Sequence, residues 1–285
     1  MPVELIDTHC HLDLEPLAGS VEEILSRARA VGVRQCLTIG TTVEASRANV
    51  ALARRFPMLR AAVGVHPLET DGLNDAAVEE IESLAGDAVV AAIGEVGLDG
   101  YRAPGAVAAQ RKVLARFLGV AQRRKLPLAI HCRNAYDELL DLLRQEADRP
   151  LAGVIHCASG PPEFIHAALE LGLHVSFAGN VTFPNAHALR ALVPLVPEER
   201  LLIETDAPFL APQPVRGRPN EPAYVAHTAA RLADVRDTTV EALGLATSRN
   251  ARRLFGFPDP SPGTDAASKH GAGSPSRGEG RTGAA

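Results

Sequence analysis

Tryptophan is absent, aromatic residues make up 4% of the sequence, and cysteine occurs four times. Four cysteines in 285 residues do not form a disulfide framework. Cys10, Cys132 and Cys157 each adjoin a histidine, which suits reduced thiols packed as small hydrophobes behind those histidines better than thiolate ligands. No stretch reaches the roughly 18 apolar residues of a membrane helix, and the N-terminus has neither the basic nor the apolar region of a secretory signal. The expectation is a cytoplasmic protein with no membrane partner, and a monomer. A surplus of positive charge is missing too: 29 basic against 34 acidic residues give a net charge of -5, so no global field draws the chain to nucleic acid and any such partner must be held locally.

What is present is a core. With 46% hydrophobic residues the chain can fill two small domains or one α/β barrel. Short β-branched or leucine-rich runs recur at 3–6, 35–39, 60–65, 89–93, 128–131, 153–156, 174–177 and 201–204, with helical patterns between them. Ser20 with Glu23 and Thr41 with Glu44 have capping-box form, and Gly32, Gly86 and Gly172 stand where helices should end. Between Pro104 and Lys125, Val107, Leu114, Phe117, Leu118 and Ala121 share one helical face. Strand and helix alternating in this way predict a closed (β/α)8 TIM barrel over residues 1–257. The rival, an open doubly wound sheet, lacks its Gly-x-Gly-x-x-Gly after the first strand. From Pro258 to Ala285 there is no Val, Ile, Leu or Phe, so 258–285 is expected to be a disordered tail without a role in catalysis.

In a parallel barrel the active site lies at the C-terminal ends of the strands. The first run leads into His9 and His11, which a period of two places on one side with Cys10 on the other. The third run leads into His66, the fourth into Glu95, the fifth ends at His131, the sixth at His156, and the eighth leads into Asp206. A core would rarely place polar groups at the same end of so many strands, because each carries a desolvation cost if unpaired. Histidine nitrogen with carboxylate oxygen suits zinc, manganese or iron better than magnesium. The set is too large for one tetrahedral zinc and right for two divalent ions sharing a bridging carboxylate, an arrangement suited to phosphoryl displacement.

Six motifs, Asp7-Thr8-His9-Cys10-His11-Leu12-Asp13, Gly64-Val65-His66-Pro67, Gly94-Glu95-Val96-Gly97-Leu98-Asp99, Ile130-His131-Cys132-Arg133, His156-Cys157 and Glu204-Thr205-Asp206-Ala207-Pro208, resemble in order those of the TatD family of metal-dependent deoxyribonucleases, a branch of the amidohydrolase superfamily. The resemblance implies a TIM barrel with two divalent ions, Zn2+, Mn2+ or Mg2+. One would be held by His9, His11, Glu95 and Asp206, the other by Glu95, His131 and His156. Metal coordination lowers the pKa of water to about 7 and makes hydroxide available for in-line attack on phosphorus. Glu95 as the bridging group and Asp206 as ligand and proton acceptor would be the catalytic pair. His66 and Arg133 would bind the phosphate, Arg133 by a forked contact, and Glu204, two positions before Asp206, is placed to orient a ligand histidine.

The sequence departs from the family pattern outside the ligand set. Ala158 stands where relatives usually carry an aromatic, Ala178 and Pro184 where they carry Ser and Lys, and Pro219 at an often basic position. Each removes a stacking or phosphate contact of the kind that holds single-stranded nucleic acid. Arg102, Arg133, Arg216 and Arg218 are the remaining basic candidates near the mouth. The leading expectation is a nuclease hydrolysing phosphodiesters of DNA or another nucleic acid, trimming from an end. The alternative keeps the site but cleaves an amide or ester, for example an aminoacyl ester; Glu95, where related two-metal amidohydrolases often have a modified lysine, tilts against it. A non-catalytic nucleic-acid or metal-binding scaffold predicts a broken ligand set or a strongly basic surface, and the sequence has neither.

Overall fold

The computed structural model describes residues 3–147 and 150–259. Eight strands, β1 (Leu5–Cys10), β2 (Val33–Ile39), β3 (Leu59–Val63), β4 (Val90–Asp99), β5 (Leu128–Arg133), β6 (Gly153–Ile155), β7 (His174–Phe177) and β8 (Leu201–Ile203), pair in parallel and in sequence order. A parallel bridge between Cys10 and Ala207 closes the ring between β8 and β1. Helices α1 (Val21–Ala30), α2 (Val43–Arg55), α3 (Asp75–Leu84), α4 (Val107–Arg124), α5 (Tyr136–Glu146), α6 (Pro162–Glu170), α7 (His187–Leu192), α8 (Val225–Val235) and α9 (Val240–Phe255) follow the strands. This is the (β/α)8 barrel that the alternation predicted. Among the described residues no helix is long and apolar enough to cross a membrane.

Each strand is covered on both faces, and its side chains divide between two apolar populations by the period of two. Leu5, Leu59, Ile130, Ile155 and Ile203 face outward to the helices. Ile6, Leu37, Ala62, Ala92, Ala129, Val154 and Leu202 pack inside the barrel together with Phe255 and Phe257 from the end of α9 and beyond it. The helix is held across the N-terminal ends of the strands by Ser248 Oγ donating to Glu4 O (3.2 Å) and Asn250 Nδ2 donating to Leu201 O (2.9 Å). One end of the barrel is thus sealed with hydrocarbon, and the polar groups collect at the other.

Two irregularities decide which residues reach that polar end. Asp7 pairs with Cys36 and Cys10 with Thr38, three steps along β1 against two along β2. Ile93 pairs with Leu128 and Val96 with Ile130, the same excess in β4 against β5. Such a bulge inserts one residue and re-aims the next side chain. Ile6 and His9 therefore both face inward although three residues apart, as do Ala92 and Glu95, and Asp7 turns outward.

Strands β1 and β4 continue to Cys10 and Asp99, beyond the apolar runs that mark them in the sequence, because backbone pairing persists into the polar residues. The cap of α2 is Thr42, whose hydroxyl accepts from Ala45 N at 3.1 Å, one residue later than the capping box predicts. Ser20 precedes α1 with no side-chain capping bond. Gly32 and Gly172 end their helices in the left-handed region at φ 96° and 97°, whereas Gly86 does not adopt a positive φ. On α4, Leu114, Phe117, Leu118 and Ala121 are buried as predicted and Val107 is only partly so. Pro258 O accepts from Gln35 Nε2 at 3.0 Å at the sealed end, and the rest of the expected tail, 260–285, lies outside the described residues.

Candidate metal centre

Five strands bring His9, His11, Glu95, His131, His156 and Asp206 together, and all of them but the fully buried His9 line a cavity of about 830 Å³. Glu95 stands at the centre, and its two oxygens serve two groups. Oε2 lies 3.5 Å from His9 Nε2 and 3.7 Å from His11 Nε2. Oε1 lies 2.9 Å from His131 Nδ1 and 2.7 Å from His156 Nε2. Asp206 Oδ1 adds to the first group, 3.4 Å from His11 Nε2 and 3.8 Å from His9 Nε2.

The imidazole orientations follow from what each ring's other nitrogen meets. His11 Nδ1 lies 3.2 Å from Ile39 O, which can only accept, so this nitrogen carries the proton and Nε2 turns a lone pair to the site. His131 Nε2 is 3.3 Å from Asp99 Oδ2, which leaves Nδ1 facing Glu95 and His156. His156 Nδ1 lies 3.4 Å from Glu204 Oε1, whose other oxygen accepts from Ser176 Oγ. His9 Nε2 and His11 Nε2 approach to 3.3 Å, and His9 Nδ1 is buried with no hydrogen-bond partner among the described residues. Lone pairs and carboxylate oxygens converging in a buried space repel one another unless a positive centre lies among them. The donor set and its geometry fit divalent cations.

The electrostatics agree. Burial pushes Glu95 up, but the charge of His156 and hydrogen bonds from His131, His156 and His9 reverse this and hold it well below the carboxylate range. Asp206 is likewise held low, burial being outweighed by His11 and His9. Burial depresses His9 and is the dominant effect there, whereas Glu95 overcomes it at His156, and Asp99 with Glu95 overcomes it at His131. The carboxylates draw positive charge into the cluster.

His66 differs in kind. Its Nδ1 accepts from Leu68 N at 3.1 Å, so the ring proton sits on Nε2, 3.6 Å from Glu95 Oε1. Burial, only partly offset by Glu95, lowers it to about 4. A neutral ring presenting N–H to the cavity is a hydrogen-bond donor and not a ligand at that nitrogen. Arg133 lines the same cavity with its guanidinium stacked over Tyr101 at 4.0 Å, and Arg102 lines it beside them.

The loop after β8 is fixed by an outward-facing network. Asp7, which burial raises to about 8 despite hydrogen bonds from Thr205 and His9, accepts from Thr205 N (2.9 Å) and Thr205 Oγ1 (2.6 Å). It ties β1 to β8 and contributes no oxygen to the cluster. Asp206 takes a left-handed backbone (φ 56°), a conformation Asp tolerates better than most residues, with its N–H on His9 O at 2.9 Å. At Gly97 (φ 153°) a Cβ would lie 1.9 Å from His131 O, so only glycine lets β4 pass β5 this closely beside the cluster.

All four cysteines are free. Cys10 packs behind the histidines as expected, but Cys132 and Cys157 form part of the cavity wall. Asp99 is the residue that sequence reading passed over. The signal was there, since Glu95, Gly97 and Asp99 share one face of an extended strand. Its Oδ1 accepts from Tyr101 N (3.0 Å) and Arg102 N (2.7 Å), so it also shapes the turn that carries the rim.

A model of the TatD related DNase family matches residues 6–256. The chain belongs to this family. It is 34% identical over 251 residues to an uncharacterized metal-dependent hydrolase, YabD, of Bacillus subtilis, covering 88% of this chain and 98% of that one. It is 35% identical over 257 residues to a 3'-5' ssDNA/RNA exonuclease TatD of Dickeya dadantii, covering 88% and 97%. Among solved structures, the TatD homologue YJJV of Escherichia coli superposes with a TM-score of 0.85 at 32% identity, over 90% of this chain and all of that one. The six motifs quoted above fall within the matched span, so the family assignment and the ligand cluster rest on the same residues.

Proposed function

We propose that this TatD-family protein is a hydrolase of nucleic-acid phosphodiesters that works from a chain end, using two divalent ions on the floor of the barrel. The observation that carries the reading is the division of Glu95, one oxygen toward His9 and His11 and the other toward His131 and His156. A carboxylate so placed would serve as the bridge of a two-ion site. His9, His11, Glu95 and Asp206 would hold one ion, and Glu95, His131 and His156 the other. Ions bound there supply Lewis acidity, acidifying water to a pKa of about 7 and offsetting charge that develops on phosphate oxygens.

The chain's own groups do the rest. Asp206, kept anionic at the edge of the cluster, accepts the proton of the attacking water. Arg133 offers a planar fork to two phosphate oxygens, and the Nε2–H of His66 offers a third donor. Asp99 and Glu204 hold His131 and His156 in the orientations that point lone pairs inward. The exonuclease names of the relatives support a nucleic-acid end as substrate, DNA or RNA. The test is cleavage of an end-labelled single strand by protein supplied with Mn2+ or Zn2+, beside an aminoacyl ester. Cleavage of the strand that is abolished by chelator and by His131→Ala supports the proposal. Turnover of the ester alone, or full activity in His131→Ala, would refute it.

A further inference from the structure

Exposed large hydrophobic side chains are few among the described residues: Val31, Tyr101, Phe209 and Leu245. Two of these four lie at the barrel mouth. Phe209 lines the cavity, 53% exposed, with its ring centroid 6.0 Å from that of His11. Tyr101 is 59% exposed even though one of its faces is covered by the Arg133 guanidinium, so its other face is open. Tyr101 follows β4 and Phe209 follows β8, strands on opposite sides of an eight-stranded ring, so the two rings flank the metal cluster from across the mouth.

Neither ring is there because its loop is loose. Tyr101 N donates to Asp99 Oδ1, the carboxylate whose other oxygen faces His131. Phe209 N donates to Asp206 O at 2.8 Å, and Phe209 O accepts at 2.7 Å from Asn220, whose side chain is fully buried and also donates to Thr205 O. Both aromatic side chains are thus set in register with catalytic groups by backbone hydrogen bonds, yet leave much of their apolar surface in water. What sets them apart from Val31 and Leu245 is their place, one on each side of the same mouth.

Resting on the nuclease reading, we infer that Tyr101 and Phe209 are stacking platforms for the nucleobases on either side of the cleaved phosphate. Every base has a π-face, so two rings bracketing the phosphate site would hold a strand of any sequence. Arg133 above Tyr101 would bind phosphate with its edge while the ring beneath it takes a base. On the β8 side a second guanidinium, Arg216, lies over Phe183 at 3.9 Å and continues this pattern of cation on aromatic ring outward from the mouth. Bases in a duplex are already stacked and paired and must be freed before they can stack elsewhere, so these platforms select unpaired ends.

The deciding experiment compares an end-labelled single strand carrying normal bases with the same strand made abasic at its terminal nucleotides. Binding is followed by fluorescence anisotropy with phosphorothioate linkages and Mn2+, and cleavage separately with natural linkages. Tyr101→Ala and Phe209→Ala should each weaken binding and raise KM for the normal strand by about tenfold, with little change in kcat, as loss of one stacked base implies. On the abasic strand the same variants should match the parent protein, and Tyr101→Phe and Phe209→Tyr should retain normal binding. Equal losses on both strands, or none on either, would overturn the inference while leaving nuclease activity standing. Base-dependent binding without cleavage would support the platforms and sink the nuclease reading; absence of both binding and cleavage would remove the two together.

Discussion

The floor and the rim of the barrel mouth lie a few residues apart in sequence and obey different constraints. On the floor, His9, Glu95 and His156 are at most 5% exposed, each facing charged neighbours within about 4 Å. On the rim, Tyr101 and Phe209 are more than half exposed and Arg133 only rests on a ring. A buried charge stripped of its partner is strongly destabilised, so the floor functions as a unit. Exposed contacts are screened and more nearly additive, so the rim can be tuned one residue at a time. On the proposed reading, chemistry is set by the first region and substrate preference by the second.

Changes on the floor should have the largest effects. Glu95→Ala removes the group shared by both halves of the cluster, and a loss of several kcal/mol of charge stabilisation corresponds to a fall in kcat/KM of at least ~10³-fold. Elemental analysis after dialysis should show the bound metal lost with it; a metal-replete, active variant would dissolve the distinction between floor and rim. One layer out, Asp99→Asn keeps an oxygen for Tyr101 N and Arg102 N but turns an amide donor toward His131. Metal affinity should fall roughly 10- to 100-fold with the circular dichroism spectrum unchanged, as expected when an orienting partner of a ligand histidine is lost. Titration calorimetry reads this directly, and unaltered affinity would make Asp99 only a turn-former.

Protons and metal compete for the floor but not for the rim. Carboxylate neighbours overcome burial and raise His11, His131 and His156 above the ordinary value of 6.5 in the metal-free protein. Histidines raised in this way contribute stability that is fully present below about pH 6.5 and is lost as pH climbs through their elevated values. Metal must displace these protons, so its affinity rises with pH. The increase in melting temperature produced by Mn2+ should therefore grow from about pH 6 to about pH 8. A flat or falling increment would show that the histidines bind the ion without releasing protons.

The rim should give the smallest changes. Arg133→Ala is expected to raise KM roughly tenfold with a lesser effect on kcat, in line with loss of a forked, charge-assisted contact at a solvent-screened site. Arg133→Lys should recover only part of it, because an ammonium has no fork. A kcat effect as large as that of Glu95→Ala would move Arg133 from the rim to the floor.

This division also governs how much could be read from the sequence. The barrel was legible because aliphatic runs alternate with amphipathic helices, and the ligand cluster because histidines and carboxylates end those runs where apolar residues would otherwise continue. Glu204 does lie 3.4 Å from His156, but the extended-strand spacing that pointed to it does not hold, because β8 ends at Ile203 and Asp206 is left-handed. The bulges in β1 and β4 were not legible, since one extra residue in an apolar strand leaves no mark on composition, yet they aim His9 and Glu95 inward and Asp7 outward. Thr42 in place of Thr41 as a cap shows the same limit at the scale of a single residue. Tyr101 and Phe209 sit on loops, where no period says which way a side chain faces; Tyr101 N donates to Asp99, Phe209 N donates to Asp206 O, and Phe209 O accepts from Asn220, and these tertiary bonds fix the two backbones.

The most direct test is a titration of metal-free protein with Mn2+ in which cleavage of an end-labelled single strand is followed against bound equivalents. With Glu95 as a bridge, cleavage should rise with the second equivalent, and Glu95→Ala should show none at any concentration. Full cleavage at one equivalent, or cleavage that persists in chelator, would contradict the two-ion centre.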